Sequence, residues 1–426
     1  MTALSDASFV LAFALLLVAP LAIAGVALIN VGLGRSRSAA QALLGSVAMA
    51  AVAVILFVLI GSAFAGSLPG GVGHVLNLAG KPWSLLGTGP LFASGLAEAP
   101  PLRQLGLLFE VFSVALLVLL PWGSGADRLR LQAGLAVAAV LAVLLFPLAA
   151  YWSWGGGLLA TLGANFKLGV GFQDAGGAGC IHTLGGLAAL AVVWVAGARR
   201  GKFPREGLAT AMPGHNTVYI LFGCLLTLVG FLASNCAGAL IWLHAPLGEL
   251  APTALNTLLA ASISLAATFS VTSVRFGKPD ASLCANGWMA GLVTSTAAAA
   301  LVSPGAMLFI GLVAGIITPL LVEVFELALS IDDPSGAVVV HGIAGIWGLL
   351  AAGAFSGGAG QLIAQMVGVA ALLGFFFPLF YFVFLGLDRL VPFRADPDGE
   401  RLGMDLHELG GGAYPEFVIH RDDSYR

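Results

Sequence analysis

The feature that most constrains this chain is a series of long apolar runs that extends over almost its whole length. A helix of about 20 apolar residues spans the hydrocarbon core of a bilayer. Charged residues make up only 9% of the chain, whereas soluble domains carry about 25%. Eleven runs are long enough to span, at residues 8–31, 39–63, 104–122, 131–153, 177–198, 215–236, 253–274, 283–301, 305–329, 337–355 and 361–388. We therefore predict an all-α integral membrane protein with eleven transmembrane helices.

The distribution of Lys and Arg predicts how these helices cross the membrane. Eleven crossings put the two termini on opposite sides. If the N-terminus is outside, only three of the 18 basic residues, Lys81, Arg103 and Lys167, fall in outer segments. Because inner loops carry the excess of positive charge, we predict an N-out, C-in orientation in the plasma (inner) membrane. No basic segment precedes the first run, so we predict a retained helix rather than a cleaved signal.

The segments between the runs divide the chain further. We predict a transmembrane domain at residues 1–390 and a cytoplasmic C-terminal tail at 391–426. Residues 64–103 are rich in Gly and Pro, which predicts a folded cap or an irregular loop. Residues 154–173 begin with a run of glycines and are predicted to be irregular as well.

One motif occurs twice, at the start of the fifth and the tenth runs. Residues Asp174 to His182 and residues Asp333 to His341 both read D-x-x-G-A-x-x-x-H, and a glycine follows each His four residues later. An ionisable residue at membrane depth indicates a functional site, because its polar atoms are costly to leave unpaired in hydrocarbon. A role for the two aspartates as helix caps is the structural alternative to a functional role.

The duplicated motif predicts two inverted repeats. Repeat one covers about 8–198 and repeat two about 213–356, and the last helix, 361–388, lies outside both. Five spans per repeat is an odd number, so the two halves must be inverted relative to each other. A pseudo-twofold axis in the membrane plane would then bring His182 and His341 together near the midplane.

Two buried imidazoles allow three interpretations. Rings that hydrogen-bond each other can guide a weak acid that leaves its proton behind, and they can relay that proton. The same two rings could instead ligate a haem from both sides. They could also form a binding site without conduction. The sequence separates the first and third interpretations poorly.

At these residues the chain resembles the ammonium transporter family (Amt/Mep/Rh), over nearly its whole length. The matching segments are Pro20–Gly25, Gly32–Arg35, Gly155–Leu159, Pro213–Asn216 with Asn235, Asn286–Leu292, Val302–Pro304, Asp332–His341, Glu400–Asp405 and Gly412–Tyr414. The two spaced His motifs together make the resemblance specific.

The resemblance implies a homotrimer with one pore in each subunit. In this family an outer vestibule recruits ammonium, stacked Phe rings cover the pore, and twin histidines lie below them. By position, Trp154 would be the vestibule aromatic, Phe112 the outer gate with Phe109 as its alternative, and Ser303 a residue near the pore mouth. Asp174 would organise the site. A PII-type regulator on the cytoplasmic side is implied by the resemblance alone.

The chain departs from the family pattern at the vestibule. Phe231 stands where the family has Trp, Ser234 where it has the second gating Phe, and Gly238 where it has a vestibule Ser. Asn30 stands where the first helix usually has Tyr, and the segment that follows Trp154 is longer than usual. The recruitment site is therefore either weakened or rebuilt from Ser234 and the extra loop, which leaves an ammonium sensor open as the rival of a transporter.

The remaining polar residues complete the prediction. Glu110 lies within one turn of the candidate gate residues and could hold a proton or a cation near the outer mouth. The four cysteines fall in apolar runs without the spacing of a metal site, so we predict buried thiols, no metal and no cofactor. A net charge of −3 does not favour nucleic acid as a partner.

Overall fold

The computed structural model describes residues 5–66, 68, 70–78 and 80–414. Long helices dominate it: α1 (Asp6–Leu33), α2 (Ser36–Ala65), α3 (Pro101–Ser124), α4 (Leu131–Ser153), α5 (Ala178–Ala196), α6 (Thr217–Trp242), α7 (Leu247–Phe276), α8 (Ala281–Ala298), α9 (Pro304–Ala328), α10 (Val338–Ser356) and α11 (Gly358–Leu390). Two strands, β1 (Val72–Leu78) and β2 (Lys81–Thr88), lie between α2 and α3.

Ten of these helices are long and apolar enough to cross a membrane. The exception among the labelled helices is α8, which corresponds to the predicted run 283–301. It carries Asn286 and three consecutive hydroxyl residues, Thr294 to Thr296, and these side chains are buried by neighbouring helices. A helix shielded from lipid does not need an apolar surface all round. The multi-pass helical fold is confirmed, while the count of eleven spans, the inverted repeats and the orientation stay predictions.

Close contact between α1 and α6 depends on a pair of glycines. A Cβ on Gly25 would lie 2.6 Å from the carbonyl oxygen of Gly223, and a Cβ on Gly223 would lie 2.6 Å from the carbonyl oxygen of Gly25. Small residues drive helix association in lipid because they let backbones approach and pack. The two helices that open the two predicted repeats therefore meet through a reciprocal pair of glycines.

The predicted cap between α2 and α3 contains an antiparallel hairpin, which the sequence reading did not identify. β1 and β2 pair from Val72–Thr88 to Leu78–Lys81, with an irregularity after His74. The indole N–H of Trp152 donates to the carbonyl of Leu85 at 2.8 Å, and the Tyr151 hydroxyl lies 2.6 Å from that of Ser84. These bonds fix β2 to the end of α4.

A buried ion network lies at the opposite end of α3 from the hairpin. The Arg199 guanidinium donates to Asp332 at 2.8 Å and to Asp127 at 3.0 Å. Arg128, which is fully buried, donates to the backbone carbonyl of Asp332 at 2.8 Å. Burial alone would raise the pKa of Asp332, but hydrogen bonds from Arg199 and the charges of Arg128 and Arg199 lower it to about 2. The network joins the segments after α3 and α5 to the segment before α10.

The described part of the tail packs against the same end of the bundle. Asp405 accepts hydrogen bonds from the backbone N–H groups of Ala40 and Gln41, where the α-helical part of α2 begins, at 3.1 and 2.7 Å. Glu408 accepts from the backbone N–H of Leu131 at the start of α4, at 2.8 Å. Carboxylates at these helix N-termini satisfy otherwise unpaired N–H groups. Residues 415–426 of the predicted tail lie outside the described residues.

Candidate functional site

Both histidines of the duplicated motif lie in short π-helical turns. The first turn, Ala178–Thr183, opens α5 and contains His182. The second, Val338–Ile343, opens α10 and contains His341. Single π-turns within α-helices occur frequently at functional sites, because the extra residue shifts the direction of nearby side chains.

Both aspartates of the motif cap these turns. Asp174 accepts from the backbone N–H of Gly179 at 3.0 Å with one oxygen and from that of Cys180 at 2.8 Å with the other. Asp333 accepts from the backbone N–H of Val338 at 2.8 Å. The capping geometry fixes the start of each helix, and each aspartate bonds to the backbone of the turn that carries its histidine.

The helices that carry the histidines cross through glycines. A Cβ on Gly186 would lie 2.3 Å from the backbone nitrogen of Gly342, and a Cβ on Gly345 would lie 2.5 Å from the Thr183 hydroxyl oxygen. Gly186 and Gly345 hold equivalent positions in the two copies of the motif. The two contacts are therefore reciprocal, as expected for a crossing near a twofold axis.

This crossing produces a buried histidine pair. The Nδ1 atoms of His182 and His341 lie 3.1 Å apart, and their ring planes are inclined by 22° with the centroids 5.1 Å apart. The two residues are 1% and 5% exposed. A hydrogen bond between two Nδ1 atoms requires one ring to donate and the other to accept. The pair therefore shares one proton along this bond.

The aromatic ring of Phe231 packs on the pair. It lies parallel to the His182 ring, with the centroids 5.1 Å apart and the planes inclined by 13°. Phe231 is 2% exposed. Phe231 therefore lies directly over one face of His182.

Two small cavities lie near the pair. The Ser234 cavity, of about 20 Å³, is lined by Leu16, Ala19, Ala22, Ile23, Phe109, Phe112, Ser113, Leu116, Ile181 and Ser234. The Asn30 cavity, of about 10 Å³, is lined by Val26, Ile29, Asn30, Leu120, Asn286, Met289, Ser335, Ala337, Val340 and His341. They touch successive turns of α1, so they lie at different depths in the bundle. Each has room for about one water-sized molecule.

An aromatic cluster lies beside the Ser234 cavity. The half-buried Trp154 donates its indole N–H to the carbonyl of Asp174 at 2.8 Å. Its ring stacks on Trp242, with the planes inclined by 6° and the centroids 5.2 Å apart. Phe109 stands edge-on to both indoles, at 5.5 and 5.9 Å. Phe112 is half-buried and lines the Ser234 cavity, beside Phe109.

Trp242 is a residue that the sequence reasoning missed. It lies eight residues after Ser234 and four after Gly238, so the three positions follow one face of α6 at helical spacing. This spacing could have identified Trp242 as a candidate site residue from the sequence. Its indole N–H is buried and has no hydrogen-bond partner among the described residues.

The backbone next to Gly238 leaves no room for a side chain at this position. A Cβ on Gly238 would lie 2.1 Å from the carbonyl oxygen of Ala175. The backbone after Asp174 is held there by a hydrogen bond of 2.9 Å from the N–H of Gly176 to the carbonyl of Thr296. The backbone of Ala175 and Gly176 therefore occupies the space that a serine side chain at position 238 would need.

Ser303 lies apart from the other candidate residues, whereas Glu110 lies next to Phe109. Ser303 is exposed at the start of α9, where its hydroxyl accepts from the backbone N–H of Ala306 at 3.4 Å, and it lines neither cavity. The structure therefore does not bring it together with the other candidates. Glu110 is fully buried in α3, one turn before Ser113.

The side-chain geometry was compared with the requirements of a metal site and of haem ligation. Within the described ranges, no group of three or more His, Cys, Asp and Glu side chains is placed to hold a metal ion. Haem ligation does not fit the histidine pair, because the two Nδ1 atoms contact each other instead of facing a gap for a haem plane.

Comparison with known proteins places the chain in a family. The sequence profile described as Ammonium Transporter Family matches residues 8–414. The chain belongs to the ammonium transporter family. This family member is 31% identical to "Ammonium transporter Amt2" of Archaeoglobus fulgidus, over 93% of its own length and 85% of the relative's. It is 28% identical to "Ammonium transporter" of Bacillus subtilis, over 92% and 94% of the two chains.

Solved structures share its fold. A protein described as "Sensor Amt Protein" superposes with a TM-score of 0.84 at 23% identity, over 94% of this chain and 98% of that one. Candida albicans Mep2 superposes with a TM-score of 0.78 at 24% identity, over 97% and 91% of the two chains. The ammonium transporter fold therefore extends over nearly the whole of this family member.

Proposed function

We propose that this chain transports ammonium across a membrane. Ammonium is recruited beside Trp154 and loses its proton, and the resulting ammonia passes the histidine pair before it is protonated again. The observation that carries this proposal is the buried, directly hydrogen-bonded pair of His182 and His341 in a member of the ammonium transporter family.

The chemistry follows from the cost of moving a cation through an apolar interior. An isolated ammonium-type charge is strongly disfavoured there, but neutral ammonia is not. The imidazole edges of His182 and His341 offer hydrogen-bonding positions along the path. The hydrogen bond between them also gives a proton a route from one ring to the other.

The surrounding residues have separate roles in this proposal. Trp154 and Trp242 attract the cation to their indole faces, an interaction of about 0.5–2 kcal/mol. Phe112 and Phe109 cover the Ser234 cavity, and Phe231 limits access to one face of His182. Asp174 organises the site through the backbone of α5.

Transport is tested by a sudden increase of the ammonium concentration outside proteoliposomes that contain the protein. We expect a saturable transient current or, for neutral passage, a saturable pH change in a stopped-flow assay. His182→Ala and His341→Ala should each lower the signal at least tenfold. The matched control is His244→Asn, which removes an exposed imidazole at a left-handed position (φ 53°) that Asn tolerates. Equal signals from the parent and both pore variants would contradict the proposal.

A second candidate function is ammonium sensing with little or no flux. The parallel rings of Phe231 on His182 and of Trp242 on Trp154 favour it, because both cover faces that a passing substrate would use. A sensor should bind ammonium saturably in calorimetry and give neither current nor pH change in vesicles. Binding without flux would select this candidate.

We also propose that the two halves are inverted repeats and that the chain is oriented N-out, C-in in the plasma membrane. The reciprocal glycine contacts of α1 with α6 and of α5 with α10 support the inversion. The basic loops support the orientation. Labelling of single cysteines introduced at Lys81 and at Lys278 from the two sides of a vesicle tests it, since the two positions should be reached from opposite sides.

A homotrimer and a PII-type regulator complete the proposal. α6 presents Val218, Phe222 and Leu225 with exposures of 73%, 53% and 59%, an apolar surface suited to lipid or to another copy of the chain. Native mass spectrometry should show three chains in each particle. Any regulator should bind the cytoplasmic loops and tail.

A further inference from the structure

Among the described residues that line the Ser234 cavity, two have polar side chains, Ser113 from α3 and Ser234 from α6. The other lining residues of this cavity are apolar. At about 20 Å³ it accommodates one molecule the size of water, ammonia or ammonium. Its lining chemistry therefore decides which of these small molecules it suits.

Both serine hydroxyls use their only hydrogen within their own helix. The Ser113 hydroxyl donates to the carbonyl of Phe109 at 2.7 Å, and the Ser234 hydroxyl donates to the carbonyl of Gly230 at 2.8 Å. A hydroxyl has one donor and two acceptor positions, so each oxygen retains acceptor capacity for the cavity. Water needs donors as well as acceptors to be satisfied. Ammonium carries four N–H donors and no lone pair, which matches an acceptor-only lining.

The rest of the lining also suits a cation. Phe109 and Phe112 border the cavity, and aromatic faces attract ammonium-type charges. Glu110 precedes Ser113 by one turn and is fully buried. A buried acidic residue thus lies close to this part of the path.

The cavity lies next to the histidine pair. Ile181, which lines it, directly precedes His182. Ser234 follows Phe231 by about one helical turn, and the Phe231 ring stacks on His182. A molecule held by the two serines therefore lies next to the histidine pair.

We propose that the Ser234 cavity is a binding site for one ammonium ion, held by the hydroxyl oxygens of Ser113 and Ser234 before the ion loses its proton. The inference deepens the proposed function and rests on it for the identity of the substrate. Where the family pattern places a gating ring, Ser234 thus provides a polar contact.

The test compares serine variants of the full chain by two readouts. Ammonium chloride is titrated calorimetrically into protein in nanodiscs, and the half-saturating ammonium concentration of flux is measured in proteoliposomes. Ser113→Ala with Ser234→Ala should raise both values about tenfold, and each single variant about threefold, because each removes one hydrogen bond to a charged donor. The matched control is Ser46→Ala, a buried serine in α2 that makes the same type of bond, to the carbonyl of Ala42 at 2.8 Å, away from the cavity.

Each outcome separates this inference from the proposed function. Flux with unchanged half-saturation in both single variants and the double variant overturns the inference and leaves transport intact. Serine-dependent binding without any flux supports the site and contradicts transport. A parent that shows neither binding nor flux overturns both. The single variants decide the question if the double variant does not fold, and thermal unfolding of each variant establishes which ones do.

Discussion

At the scale of single residues, the most informative contact is between Asp174 and the first turn of α5. One carboxylate accepts two backbone N–H groups, and no direct contact with His182 is needed for it to position that ring. The sequence predicted that the two histidines meet, and it offered helix capping as the alternative to a functional role for the aspartates, because spacing along a helix determines which groups can meet. It could not indicate that Phe231 stacks on His182 or that Trp242 stacks on Trp154. Ring orientation depends on side-chain packing between helices that are distant in sequence.

Removal of the Asp174 cap should loosen the turn that carries His182. We expect Asp174→Ala to lower the free energy of unfolding by about 1–2 kcal/mol and to lower ammonium flux as well. Asp280→Ala is the control, since Asp280 caps α8 through the backbone N–H of Leu283 at 2.8 Å, away from the pair. It should lower stability by a similar amount and leave flux unchanged, as measured by thermal unfolding in detergent and by vesicle flux. Equal flux in both variants would show that Asp174 is only a cap.

Restoring the family's serine at position 238 should be harmful in this chain. The new Cβ would lie 2.1 Å from the carbonyl oxygen of Ala175, so the segment after Asp174 would have to move. Such overpacking costs about 1–3 kcal/mol. Thermal unfolding of Gly238→Ser should show this loss, whereas Gly374→Ser, which has open space around its Cβ, should not. An equally stable Gly238→Ser variant would mean that the segment yields easily.

At the scale of elements, the crossing of α5 and α10 holds the pair together. The sequence predicted that these two helices meet, because their motifs are duplicates in an inverted arrangement. The π-turns at their starts and the β-hairpin over α4 were not predicted. Gly73, Pro82 and Gly87 interrupt the alternation that usually identifies strands, and a π-turn depends on the packing of the completed bundle.

Widening this crossing should separate the two rings. Gly186→Ala places a Cβ 2.3 Å from the backbone nitrogen of Gly342, so the helices must move apart. We expect a loss of about 1–3 kcal/mol in stability and a loss of most of the flux. Gly386→Ala in α11 meets no atom within 4 Å and should preserve both. Unfolding and flux measured on the same preparations check this, and normal flux in Gly186→Ala would argue against a strict dependence on the crossing.

At the scale of the whole molecule, the ion network around Arg199 joins the two predicted repeats. The pKa of Asp332 lies at about 2, below its ordinary value of 3.8. A group whose pKa is depressed in the folded state contributes stability above the unfolded value, and this contribution is lost as the pH falls through the folded value. Stability should therefore decline between about pH 4 and pH 2. In Asp332→Asn the part of this decline due to Asp332 should disappear, which thermal unfolding across that pH range would show; an unchanged pH profile would contradict the assignment.

We propose that His182 and His341 act together as one conducting unit. The most direct test is a double-mutant cycle of ammonium flux in proteoliposomes, with His182→Ala, His341→Ala and the double variant measured beside the parent. Residues that act as a unit have strongly non-additive effects. We expect each single variant to lose nearly as much flux as the double variant. Independent losses that multiply in the double variant, or no loss in any variant, would contradict it.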